Sequence, residues 1–111
     1  MPLPWISLTT VEALETALET TGKKLFFKHS TRCIISSMAL KSFEREWDTA
    51  LDVTLYFIDL IANRPVSNEL AEISQVQHQS PQAIVMDGTN VLHSSSHEQI
   101  DASKIKQLLK S

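Results

Sequence analysis

A single cysteine, Cys33, excludes any intrachain disulfide, so packing alone must hold this chain together. Only two glycines, Gly22 and Gly88, are present, which leaves no flexible linker. Long apolar runs are missing too. The longest, Leu55 to Ala62, is broken by Asp59 and is far too short to cross a bilayer, so no membrane partner is expected. Basic charge is also scarce. With 10 Lys and Arg against 13 Asp and Glu, no basic patch supplies the phosphate-neutralising term of a nucleic-acid binder, and no nucleic-acid partner is expected. The opening stretch "MPLPWISLTT" lacks both a basic n-region and a continuous apolar h-region. Without a visible export signal, the expected setting is a reducing cytoplasm.

What is present is enough for one core. At 111 residues, 42% of them apolar, residues 1–111 read as a single globular domain. Thr9-Thr10-Val11-Glu12 reads as a capping box with Thr9 at the N-cap, and Val11, Leu14 and Leu18 follow at helical spacing. Gly22 is placed to end that helix. "KLFFK", Lys24 to Lys28, is a strand candidate. From Cys33 the apolar spacing turns helical, with Ile35, Ala39, Phe43 and Trp47 every four residues and Ile34, Met38 and Leu40 widening the stripe. Asp52 to Leu60, rich in β-branched and aromatic residues, reads as a strand buried on both faces.

Pro65 and Ser67 suit a helix start, with Leu70, Ala71 and Ile73 on one face. In "AIVMDGTNVLHS" two apolar runs meet at Asp87-Gly88, a hairpin signal. Asp101 is placed to cap a final helix carrying Ile105, Leu108 and Leu109. The order is helix, β-α-β, helix, hairpin, helix. A β-α-β crossover implies parallel strands, and the hairpin adds two antiparallel ones. The expected architecture is an α/β, thioredoxin-like domain: a four-stranded mixed sheet flanked by helices, with an extra N-terminal helix.

Cys33 stands where a strand-to-helix loop ends. Unpaired N–H groups and the positive end of the helix dipole favour an anion there. Helix N-termini and nearby cations can bring a cysteine pKa from about 8.5 to about 3.5–7.5. Arg32 is adjacent, His29 and Lys28 are close in sequence, and Ser36 can place its hydroxyl over the same turn as a donor to sulfur. The residues alone leave a second reading of Cys33 open, a buried cysteine that acts only as a small hydrophobe. His29 is read either as a group that steers the thiolate or as a solvated loop histidine, and Asp59 as a solvated strand-end acid. His78, His93 and His97 have no recognised ligand spacing with Cys33, so no metal is expected.

"FKHSTRCIIS" and "NRPVSNELAEISQVQHQSPQAIV", in this order and separation, resemble the YtxJ-like monothiol bacilliredoxin family of thioredoxin-fold proteins. The resemblance spans roughly Thr9 to Lys110. It implies thiol–disulfide exchange on proteins carrying bacillithiol, or another low-molecular-weight thiol, as a mixed disulfide. That thiol is a co-substrate, and no bound cofactor is implied. Cys33 is then the attacking residue of a Cys-x-x-Ser motif, with Ser36 in the place of a resolving cysteine. Arg32, Ser36 and His29 would stabilise the thiolate, and Thr31, Ser80 and Pro81 would meet the substrate. Ser80-Pro81 matches the loop that holds a cis proline in thioredoxin-like proteins. The chain departs from the family pattern at Ile34, where proline is usual, and at Gln75, where glycine is common. The expected partners are S-thiolated client proteins and a small thiol; the oligomeric state is not legible. The alternative is a non-catalytic thioredoxin-fold binding module in which Cys33 is only a site of reversible capping.

Overall fold

In the computed structural model, which describes residues 3–110, strand alternation sorts the side chains onto two faces. The elements are β1 (Ile6–Ser7), α1 (Val11–Glu19), β2 (Lys23–His29), α2 (Ile34–Glu46), β3 (Val53–Asp59), α3 (Arg64–Ser74), β4 (Gln82–Asp87), β5 (Asn90–Ser96), a 3-10 turn (His97–Gln99) and α4 (Ala102–Lys110). The sheet order is β1-β3-β2-β4-β5. β2 and β3 run parallel from Lys23↔Val53 to His29↔Asp59, and β4 is antiparallel to both β2 and β5.

One face of the sheet carries Phe26, Tyr56, Ile58, Ile84 and Met86, packed with Leu14 and Leu18 of α1 and Val66 and Leu70 of α3. The other carries Leu25, Phe27, Leu55, Ala83 and Val85 under Phe43 and Trp47 of α2 and Ile105 of α4. Phe43 is 2% exposed between Phe27 and Trp47, and truncating such a ring costs about 3–5 kcal/mol.

The thioredoxin-like order is as the sequence suggests, but the sheet has five strands, not four. The fifth is β1, which pairs Ile6 and Ser7 with Tyr56 and Phe57. Two residues are too few to show an alternation. Trp5 secures this edge: its ring stands 5.8 Å from each of Phe27, Phe43 and Phe57, and its Nε1 donates to Glu44 at 2.7 Å.

Several boundaries move by a residue or more. The N-cap of α1 is Thr10, whose Oγ1 accepts from Ala13 N–H at 3.0 Å, so Glu12 falls one position too early to close a capping box. α1 ends at Thr20, and Gly22, at φ 97°, instead makes the turn into β2. In the hairpin, Asp87 pairs with Asn90, so the loop is Gly88-Thr89, with Gly88 at φ 61°. Asp101 does cap α4, accepting from Ser103 and Lys104 N–H at 3.0 and 3.2 Å. Among the described residues no helix is long and apolar enough to cross a membrane.

Candidate active site

β2 ends at His29, and the chain turns through Ser30, Thr31 and Arg32 before α2 begins at Ile34. Cys33 is the N-cap: its N–H donates to Ser30 C=O at 3.2 Å, and its C=O accepts from Ser37 N–H at 3.0 Å. The thiol makes no capping hydrogen bond and is half-buried. The first-turn amides of α2 are therefore left for an anion. Thr31 and Arg32 are exposed, and with Cys33, Ile34, Ser37, Met38 and Lys41 they line a surface groove of about 240 Å³.

Helical spacing places Ile35 on the buried stripe, but Ile34, Ile35 and Met38 are 78%, 59% and 65% exposed. The stripe meets the core only from Ala39 onward. The first turn of α2 thus presents apolar side chains beside the thiol. A second groove, of about 260 Å³, runs from Ile35 and Met38 to His97 and Ile100.

Ser36 is fully buried, and its hydroxyl is committed elsewhere. Its Oγ lies 2.7 Å from His29 Nδ1 and accepts from Ser30 N–H at 3.0 Å, so the donor expected at the sulfur instead ties α2 to the end of β2. His29 is not a solvated loop residue. It is 6% exposed, sits against Phe57 at 5.6 Å, and pairs in register with Asp59. Burial pushes its pKa below the usual 6.5, with Asp59 and Glu44 pulling the other way, so at neutral pH the ring carries no charge to lend a thiolate. Asp59 Oδ1 accepts from Ile61 and Ala62 N–H, closing the turn after β3.

Lys28 points away from Cys33, because successive strand residues face opposite sides and Lys28 shares the face of Phe26. There it is fully buried, with Nζ donating to Ser67 C=O at 3.1 Å and lying 3.3 Å from His78 Nδ1. Ser67 Oγ lies 3.2 Å from the same nitrogen. Desolvation lowers the Lys28 pKa to about 8; burial, Lys28 and Arg64 all lower that of His78. Sequence reading missed this cluster, although the alternation Lys24-Phe26-Lys28 already put two lysines on a core face.

The Ser80–Pro81 bond is cis. Gln82 pairs with Lys28, so Pro81 comes beside His29, at the sheet end that carries the Cys33 loop. Pro81 C=O accepts from His97 N–H at 3.0 Å, and Ser80 Oγ is buried without a partner. His93 lies apart on β5. Among the described residues no group of three or more His, Cys, Asp or Glu could hold a metal.

This combination, a thioredoxin-type sheet with a free thiol at the N-cap of α2 and a cis proline at the same end, defines a thioredoxin-fold thiol redox protein. A solved structure described as having a thioredoxin fold matches at a TM-score of 0.83 and 26% identity, over 94% of this chain and 92% of that one. The thioredoxin of Malassezia sympodialis matches at 0.74 and 14% identity, over 97% and 92%. Mitochondrial thioredoxin 3 from Saccharomyces cerevisiae, in its oxidized form, matches at 0.67 and 13% identity, over 94% and 92%. The last two show the fold alone. The family model for the monothiol bacilliredoxin BrxC matches residues 6–105, and the chain belongs to that family.

Proposed function

We propose that this protein removes a low-molecular-weight thiol of the bacillithiol type from protein mixed disulfides, using Cys33 alone. The observation that carries the reading is the setting of Cys33. The chain's single thiol is partly open to solvent at a helix N-cap, and its hydroxyl neighbour one turn on is buried and bonded away from it. In the first step the Cys33 thiolate attacks the small-thiol sulfur of the client's mixed disulfide. A Cys33–small-thiol disulfide forms, the old disulfide breaks, and the client leaves as a thiolate. A second molecule of small thiol, as thiolate, then attacks the sulfur bound to Cys33, giving the small-thiol disulfide and free Cys33. Electrons balance without a bound cofactor.

The fold supplies the rest of this reading. Thr31 and Arg32 border the groove, and Ser80 and Pro81 offer backbone at the same sheet end, where a client segment would pair in strand fashion. The clients are S-thiolated proteins of a reducing cytoplasm, and neither nucleic acid nor membrane takes part. The test is multiple-turnover release of client thiol with excess small thiol. Cys33→Ser is expected to abolish it. Undiminished turnover in Cys33→Ser would end the reading, and a single stoichiometric capture without turnover would favour a non-catalytic binding module.

A further inference from the structure

The groove that opens at Cys33 has a charge pattern at odds with the chain as a whole. The protein carries a net charge of −3, yet the two charged side chains lining this groove are both cations, Arg32 and Lys41. Neither is neutralised: among the described residues the ion pair found joins Lys106 to Asp48, and no hydrogen bond engages either head group. Glu44, one turn beyond Lys41, is occupied by Trp5 Nε1. Cys33, Ser37 and Lys41 recur every four residues along α2, so Lys41 sits about 12 Å up the helix from the thiol, with a long flexible stem to reach back along the groove. Met38 supplies an apolar wall between them. The groove is small, about 240 Å³ against about 300–1,000 Å³ for ordinary ligand pockets, a size that suits the body of a small thiol.

We infer that Lys41, with Arg32, forms an anion subsite that selects a carboxylate-bearing small thiol on Cys33. The inference rests on the exchange chemistry proposed above and deepens it, by naming a residue that determines which small thiol Cys33 takes. The thiol's sulfur lies at the N-cap of α2, its apolar or neutral body lies against Met38, and a carboxylate lies near Lys41. When Cys33 attacks a symmetric disulfide of such a thiol, one half becomes the Cys33 adduct, the other departs as thiolate, and no external oxidant or reductant is needed.

The test compares three small disulfides of one reaction type: dithiodiglycolate (anionic), bis(2-hydroxyethyl) disulfide (neutral) and cystamine (cationic). The second-order rate of adduct formation on the intact protein is read by mass. The wild type is expected to favour the anionic over the cationic disulfide despite its net negative charge. Lys41→Ala should lower that ratio about two- to five-fold, the size of one solvent-exposed charge pair, and Lys41→Glu roughly four- to twenty-five-fold. Each rate is divided by that with the neutral disulfide, so that any change in the reactivity of Cys33 itself, common to all three, cancels. The preference should shrink as ionic strength rises from 0.01 to 0.15 M, where the screening length falls from about 30 to about 8 Å. A reactive Cys33 with no anionic preference, or a preference that Lys41→Glu leaves intact, overturns the subsite while leaving the exchange reading standing. A Cys33 inert to all three disulfides overturns both.

Discussion

Lys28 is a buried ammonium with no carboxylate partner among the described residues, and this gives a sharp pH signature. Among the described residues its Nζ meets the Ser67 carbonyl and His78, and burial holds its pKa at about 8 against 10.5 for the unfolded chain. Below pH 8 both states are charged, so the cost of burying the charge is fully present. Between 8 and 10.5 the folded state has released its proton and the unfolded state has not. The unfolded state binds more protons there, so stability rises with pH across that window and levels off above it. At about 1.4 kcal/mol per pH unit the gain is at most about 3.5 kcal/mol. Lys28→Met keeps the apolar stem and removes the titration. Urea unfolding of both proteins from pH 7 to 11 gives the difference curve, in which other groups cancel. The stability of the variant relative to wild type should fall by about 1.5–3 kcal/mol between pH 8 and 10.5. A difference that is flat with pH would refute the assignment of the low pKa to Lys28.

Two further substitutions probe the frame of the site. Ser36→Ala leaves the His29 ring nitrogen and Ser30 N–H without their shared partner, and is expected to cost about 1–3 kcal/mol in urea unfolding; a loss below about 0.5 kcal/mol would mean that water replaces the hydroxyl. Gln75 ends α3 in the left-handed region at φ 61°, where glycine carries no Cβ penalty, so Gln75→Gly should stabilise by about 0.5–1 kcal/mol; a lower unfolding midpoint would show that the Gln75 Nε2 bond to Glu72 C=O outweighs the backbone term.

Much of the fold was legible because its signals are periodic. The apolar runs in Lys23–His29 and Val53–Asp59, the fourfold spacing in α2 and the glycine after Asp87 each report a local geometry that tertiary packing then kept. β1 was not legible, since it is two residues long and the Trp5 beside it packs on rings contributed by distant elements, β2, α2 and β3. Gln75 shows a third case. It stands where glycine is common in the family pattern, and the chain adopts the left-handed helix ending with a glutamine in place.

The site divides along the same line. Sequence spacing places Cys33 at a helix start, and the fold keeps it there. It does not say which polar neighbours turn toward the sulfur, because that depends on where the sheet stops. β2 ends at His29, so Lys28 and His29 go to opposite faces of the sheet and both are buried, one in each half of the core. Ser36 follows His29 inward to satisfy the ring nitrogen, since a buried donor or acceptor left unpaired costs more than a bond to a half-buried thiol returns. The same end of the sheet leaves the first turn of α2 without a floor, which exposes Ile34, Ile35 and Met38 and opens the groove toward Lys41. Three candidates for charge beside the thiol therefore reduce to one, Arg32, while Lys41, eight residues on along α2, lines the same groove. Charge around a helix N-cap is thus set by the side chains that the core does not claim, and in this chain those are Arg32 and Lys41.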